Sequence, residues 1–469
     1  MSGFSTMNTA ISGLLASQRA LDVVGQNVVN ANTPGYSRQS VRVSSVGASP
    51  SSTLHTGNAQ AVVGGVQIDT VQRIRDTFLE NTRVAAGAAL EAVKAQTSAL
   101  KGAEQLLSEP GDGGLQSVMD DFFNSWHDLA QKPTDEGAGA VVIQRAKTVT
   151  AQLAFVSNGV EERWETSLQE LRSTVSELNQ AASDLAKINQ RIRESHVVRR
   201  PVNELLDQRD MLVRKLGELA GGKPSVQTED GMVSVNVNGL ALVSGVRAEQ
   251  FTLSGGTTLA SALATPADPP VVTFGQSQVS VASGKAAGLL AALKTDLPGV
   301  SQKLDGLAVA LRDVVNTVHA AGSTTTGAPG GLFFDGTGAS NLSVVPTVTT
   351  DLAVAATAGE IDGNNALAIA DLGIDANAEA VLGPGSTSPS GLWRNLAANV
   401  GTQVQGLERG LEVQQTVLTT ADIAVESDAG VNLDEEMSSL LLFQRSYQAS
   451  ARVISTVDSV LETLINLGR

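Results

Sequence analysis

Asn27-Val-Val-Asn-Ala-Asn-Thr-Pro-Gly-Tyr-Ser-Arg-Gln39 closes the first helical pattern of the chain and bends it sharply. Upstream, apolar residues recur at Met7, Ile11, Leu14, Leu21, Val24 and Val28. Steps of three and four put them on one side of a helix over residues 5–29. Asn30 or Asn32 suits the left-handed conformation that closes a helix. Thr33 precedes a proline, which disfavours helix there. Pro34-Gly35 fits the centre of a type II turn with Gly35 at positive φ. Tyr36 then offers an anchor ring with a polar tip.

A second stripe ends the chain: Leu433, Met437, Leu440, Tyr447, Ala451, Ile454, Leu461 and Ile465. A lone helix with an uncovered stripe is marginal in water. The two ends therefore pair with each other, with a partner or with copies of themselves. An amphipathic stripe more often marks a helix in its own core. Here both stripes lie at the extreme ends and Gly, Pro or Asn sets them apart. The candidate assembly residues are Ile11, Leu14, Leu21 and Val28 with Leu440, Tyr447, Ile454 and Leu461.

Between the ends, residues 37–72 alternate polar and apolar and read as extended segments. Ala-rich helix follows from Ile74 to Leu107, then a short helix carrying Phe122, Phe123 and Trp126. From Ala140 to His196 there is no proline, and Leu168, Leu171, Val175, Leu178, Ala182, Leu185 and Ile192 keep near-heptad spacing. One helix of that length would reach roughly 80 Å at about 1.5 Å per residue. Val233, Val235 and Val237 alternate before Asn238-Gly239, a hairpin signal. Helical pattern returns from Lys285, with Pro298 as a restart point, and again at 363–372 and 393–423. The expected fold is mainly α with an inserted β domain, an elongated multi-domain rod. Its units are a terminal coiled coil of 1–36 with 431–469, a long-helix bundle of 37–221 with 284–430, and a β-rich outer insertion of 222–283.

Composition narrows the function. A net charge of −16 without clustered Lys and Arg argues against nucleic acid as the main partner. No cysteine is present, which excludes disulfide scaffolds, thiolate metal sites and cysteine nucleophiles. No run reaches membrane-spanning length and no cleavable signal peptide is visible, so no membrane insertion is expected. His55, His127, His196 and His319 are scattered and read as surface or interface residues, without metal-ligand spacing. Gly217-Glu-Leu-Ala-Gly-Gly-Lys223 imitates a phosphate loop, but Pro224 stands where a hydroxyl is needed, so a helix C-cap is the better reading. Asp434-Glu435-Glu436 at a helix start reads as capping or a partner contact. No catalytic, cofactor or metal constellation emerges.

The 27–39 segment resembles the N-terminal signature of bacterial flagellar axial proteins of the rod, hook and hook-associated type. Gly430-Val-Asn-Leu-Asp-Glu-Glu-Met437 and Gln444-Arg-Ser-Tyr-Gln-Ala-Ser-Ala-Arg452 resemble that family's C-terminal signature, with Asn432, Asp434, Glu435, Glu436, Gln444 and Tyr447 as its polar positions. Asn203-Glu-Leu-Leu-Asp-Gln-Arg-Asp-Met-Leu-Val-Arg-Lys-Leu216 and Gly330-Gly-Leu-Phe-Phe334 are similar to segments of the branch found where hook meets filament. The chain is short for that branch, which implies a reduced outer region. The resemblance implies a structural adaptor outside the cell, a ring of self-associated subunits between hook protein and hook-associated protein 3. It implies type III export without a cleaved signal, and an export chaperone on the C-terminal helix. Another axial protein (hook, distal rod or hook-associated protein 3) and a secreted helical effector stand as alternatives.

Overall fold

The computed structural model describes residues 2–45, 64–107, 114–198, 200–226, 231–275, 277–382 and 387–467. The first helix, α1 (Ser2–Asn30), leads into an antiparallel hairpin of β1 (Gln39–Ser45) and β2 (Val66–Arg73). A helical body follows: α2 (Thr77–Leu107), α3 (Leu115–Gln131), α4 (Glu136–Val197) and α5 (Asn203–Ala220). Next come β3 (Lys223–Val226), β4 (Val233–Val237), β5 (Leu240–Ser244), β6 (Arg247–Ala248) and β7 (Phe251–Ser254). The short α6 (Leu259–Leu263), β8 (Val271–Phe274) and β9 (Ser277–Val279) complete the insertion. The chain returns through α7 (Lys285–Ala291) and α8 (Leu297–Ala321). Four short strands follow, β10 (Ser323–Thr324), β11 (Phe334–Asp335), β12 (Ser343–Val344) and β13 (Ala353–Ala355). The last helices are α9 (Asn364–Ala370), α10 (Asp375–Leu382), α11 (Pro389–Ala429) and α12 (Leu433–Leu467). The fold is elongated and 68% helical, with long helices and small sheets, as the hydrophobic periods require.

The spine is α4. Its 62 residues form one uninterrupted helix, about 90 Å long at about 1.5 Å per residue. Asp135 starts it by accepting hydrogen bonds from the Gly137 and Ala138 amides at 2.8 and 3.3 Å. All seven near-heptad residues named above are buried. Trp164 is fully buried too and donates its indole N–H to the Leu293 carbonyl at 3.0 Å. A Cβ at Gly159 would sit 2.8 Å from Leu106, so α2 lies closely against the spine there.

The inserted strands form a β3-β4-β5-β6 sheet and a β7-β8-β9 sheet. The Asn238-Gly239 turn joins β4 to β5 with both residues at positive φ, as a type I′ hairpin needs. Both sheets pack on α4 and share its hydrophobic core. Two asparagines of the spine hold them. Asn189 pairs with both the N–H and the C=O of Val233 at 3.2 and 2.8 Å and donates to Gly245 at 2.7 Å. Asn179 pairs in the same two-point way with Phe251 at 2.9 and 2.7 Å.

Several expectations change. Pro298 restarts nothing: α7 and α8 are one continuous rod joined by a π-helical turn over 292–296. A proline ring clashes with the carbonyl four residues before it, and a wider turn relieves that clash. His319 is a core residue, not a surface one. It donates from Nδ1 to the Gly331 carbonyl at 2.7 Å and accepts the Ala353 amide on Nε2 at 3.0 Å. Burial holds its pKa below the ordinary imidazole value. It joins Phe122, Trp126, Phe333 and Phe334 in one aromatic cluster. The Gly/Thr/Ser-rich stretch 322–357 supplies β10 to β13 around that cluster. Gly221 ends α5 at φ 68° as the C-cap, in agreement with the rejection of a phosphate loop. His55 and residues 108–113, between the first two helical patterns after the hairpin, lie outside the described residues.

Asn189→Ala strips partners from two buried carbonyls and one amide. It should lower stability by about 1–3 kcal/mol, read as a shift in the urea midpoint, with hydrogen exchange rising first in β4 and β5.

Candidate assembly interface at the paired chain ends

The two chain ends pack against each other as antiparallel helices α1 and α12. Asn27 meets Glu436 at 3.0 Å, and a Cβ at Gly13 would lie 3.2 Å from the Ser450 hydroxyl. Fourteen residues back along α1 thus match fourteen forward along α12, two heptads without slip. The buried face of α1 is Ala10, Ala16, Ala20, Val23, Val24 and Asn27. Small residues at this seam let the helix axes approach closely. The opposing face of α12 runs through Glu436, Leu440, Phe443, Ser450, Ile454, Val457 and Leu461; Glu436 is buried and the others are half-buried.

The large apolar residues singled out on α1 flank this seam rather than fill it. Leu14, Leu21 and Val28 are half-buried, and Ile11, Leu15 and Val29 are exposed. On α12, Leu440, Ile454 and Leu461 are half-buried on the face toward α1, and Tyr447, in heptad step with them, is 37% exposed; Leu433, Met437 and Leu441 are exposed too. Gln444 and Asp434 are exposed as well. Asn432 caps α12, accepting the Asp434 amide at 3.0 Å on its side chain.

The turn behaves as its residue types demand. The Tyr36 amide donates to the Thr33 carbonyl at 3.1 Å across Pro34 and Gly35, and Gly35 has φ 81°. A Cβ on Gly35 would strike the Met211 side chain of α5. The expected left-handed asparagine is corrected: neither Asn30 nor Asn32 has positive φ. Instead the Thr33 amide closes a tight turn on the Asn30 carbonyl at 2.9 Å. The Asn30 amide group reaches back to Gln26 at 3.0 Å, and Thr33 donates to Asn30 Oδ1 at 3.2 Å.

Around this turn lies a polar lock. Asn27 is 1% exposed. Its amide pairs with the N–H and C=O of Gln39 at 3.0 and 2.9 Å, accepts the Tyr36 hydroxyl at 2.8 Å and donates to Glu436. The other Glu436 oxygen takes Arg38 Nε at 2.7 Å. A buried carboxylate is tolerated only with such partners. Arg38 also reaches Glu435 at 2.8 Å, but Glu435 is largely exposed and that pair adds little. Thus Glu436 is a tertiary contact, while its neighbour Asp434 stays in solvent at the helix start. Burial pushes the Tyr36 phenol up to about 12, with Asp207 and Glu436 adding to the effect.

A second charged group joins the lock to the helical body. Arg73 contacts Asp207 at 2.6 Å and Asp210 at 2.9 Å. Arg75 also pairs with Asp210, and Arg209 grips its other oxygen at 2.7 Å. Asn203 donates to Gln39 Oε1 at 3.0 Å and to the Val71 carbonyl at 3.2 Å. The polar positions of the 203–216 segment therefore clamp the β1–β2 hairpin. Burial lowers Arg209 to about 9 and Arg75 to about 10. Asn27, Arg38 and Gln39 join the site although no helical stripe or polar signature position singles them out in the sequence. The available signal was Asn27 itself, a polar residue in heptad step with Ala20.

Two measurements probe the lock. Glu436→Gln keeps the shape and removes the charge-assisted bond, and should cost about 1.5–3 kcal/mol, with faster hydrogen exchange in the first turns of α12. Because the folded pKa of Tyr36 is raised from 10.0, its contribution is present below about pH 10 and lost as pH climbs toward about 12. With only Tyr36 and Tyr447 in the chain, tyrosinate absorbance should resolve one late-titrating phenol, and Tyr36→Phe should remove it.

Comparison with known proteins agrees with this geometry. A family model described as the flagellar hook-associated protein FlgK helical domain matches residues 100–334. The flagella basal body rod protein model matches 7–36, and the flagellar basal body rod FlgEFG protein C-terminal model matches 426–467. Flagellar hook-associated protein 1 of Bacillus subtilis is 28% identical over 99% of this chain and 98% of its own length. The Escherichia coli protein of that name is 26% identical over 99% of this chain and all of its own. The flagellar hook junction protein FlgK from Burkholderia pseudomallei superposes with a TM-score of 0.65, covering 74% of this chain and all of that one at 15% identity, a likeness of fold. With that helical-domain model spanning half its length and rod-protein models at both ends, the chain belongs to the flagellar hook-associated protein FlgK family.

Proposed function

We infer that this protein is a structural adaptor of the bacterial flagellum, set as a ring of copies at the junction between hook and filament. The observation that carries the mechanism is the division of labour on the terminal helices. Small residues and the Asn27–Glu436 lock hold α1 to α12 within one chain. Ile11, Leu15 and Val29 on α1, with Leu433, Met437, Leu441 and Tyr447 on α12, remain exposed. Unassembled, such faces are a liability in water. In a tube of subunits each is covered by a neighbour, at about 1.5–3 kcal/mol per large side chain fully buried.

In this reading the paired ends form the innermost unit, the long helices the next layer, and the 222–283 insertion the outermost one. Hook protein lies on one side of the ring and hook-associated protein 3 on the other. Export runs through the flagellar type III apparatus, and a chaperone covers the exposed face of α12 beforehand. A 69-residue stretch at 41% identity to flagellar hook protein FlgE of Rhizobium meliloti supports a lattice shared with the hook. The helical-domain match over 100–334 favours the junction over the hook itself.

Two variants test it in cells lacking their own copy. Deleting 432–469 should leave a folded protein, by circular dichroism, that yields hooks without filaments. Ile454→Asp puts an unpaired charge on the α1–α12 seam and should do the same. Immunogold label at normal junctions from both variants would refute assembly through the ends.

A further inference from the structure

A groove on this strongly acidic protein carries basic walls. Asp184, Lys187, Ile188 and Arg191 of α4 and Gln208, Met211, Leu212 and Lys215 of α5 enclose a cavity of about 550 Å³. Its floor is apolar, and Met211 is 42% exposed there. Lys187 pairs with Asp184 at 2.9 Å and Lys215 loosely with Glu177 at 3.7 Å. Arg191 forms no ion pair among the described residues. The net charge of the chain is −16, whereas this rim carries Lys187, Arg191 and Lys215 against the single carboxylate of Asp184. Such a groove suits an amphipathic helix with acidic flanks.

The chain itself contains one. The first turns of α12 expose Leu433, Met437 and Leu441 at 50, 50 and 51%, the i, i+4, i+8 spacing of groove anchors. Asp434 and Glu435 flank them, and no basic residue occurs before Arg445. These anchors are exposed within their own chain, so they do not fill their own groove. We propose that the α4–α5 groove receives the first two turns of α12 from a neighbouring copy. The inference rests on the ring reading above and assigns one of its contacts. It also gives Met211 two roles: one flank backs the Gly35 turn of its own chain, and the exposed flank meets the neighbour.

The absence of cysteine makes the test direct. Gln208→Cys with Leu441→Cys is expressed in cells lacking their own copy, and purified flagella are oxidised. The expected result is a ladder of disulfide-linked multimers that needs both cysteines. Lys187→Cys with Met437→Cys is the second pair, and Gly13→Cys with Ser450→Cys is the reference link within one chain. The reversal Lys187→Glu with Lys215→Glu should cut filament-bearing hooks several-fold, and adding Asp434→Lys should restore them. If junctions form and the reference link closes while neither test pair gives multimers, the groove assignment is overturned and the adaptor reading stands. If the unaltered protein is absent from junctions, the adaptor reading falls with it.

Discussion

The structure depends on one repeated interaction: a helix-borne asparagine that pairs with both backbone groups of the residue opening a strand. Asn27 does this to Gln39, Asn179 to Phe251, Asn189 to Val233 and Asn316 to Phe334. Each strand so held begins at that residue. A buried strand edge must satisfy its N–H and C=O somewhere, and an amide side chain is the group that can accept and donate at once. The device lets thin helices with few aromatic residues carry short sheets on their flanks. It also ties the chain ends to the body, because Gln39 is held by Asn27 on its backbone and by Asn203 on its side chain.

At the ends this pairing is combined with charge. Glu436 is deeply buried, yet Arg38 and Asn27 take up both its oxygens. A burial of this kind contributes less to net stability than to geometry, since replacing all partners by apolar groups is often neutral. What it supplies is register: an antiparallel pair with small residues repeating along α1 could slide by a heptad, and one buried carboxylate with two dedicated partners stops it. The Arg73–Asp207–Asp210–Arg209 group does the same for the hairpin against α5. Two polar clusters in series thereby fix how the terminal pair meets the long helices.

Much of this was legible in the sequence, because the strongest signals were long. The long spine followed from a proline-free run over Ala140–His196 with near-heptad spacing at Leu168–Ile192, the β insertion from valine alternation around Asn238-Gly239, and the turn from Pro34-Gly35. What escaped had a local cause in each instance. Pro298 suggested a break, but a π turn absorbs the clash. His319 falls in step four with the buried Leu311 and Val315, but its polar type masks that signal, and only the fold brings it between Gly331 and Ala353. Neither asparagine in 30–32 needs positive φ, because the side chains of Asn30 and Thr33 close the helix end themselves. The seam of α1 was masked by its larger neighbours: hydrophobicity points to Ile11, Leu14 and Leu21, whereas close packing selects Ala10, Ala16 and Ala20.

That last difference separates two kinds of contact. If the large residues of α1 also filled the intramolecular seam, a single chain would bury more of its own apolar surface and have less left for the proposed polymerisation. Small residues inside give close approach at little cost in side-chain entropy. Large residues at the flanks of α1 stay exposed, and in the proposed assembly their hydrophobic free energy goes to contact with copies. The assembly proposed above, in which a subunit stays apart from its copies until it docks, needs this partition. The polar lock sets the shape of the ends beforehand, so less conformational entropy remains to be lost when a neighbour docks.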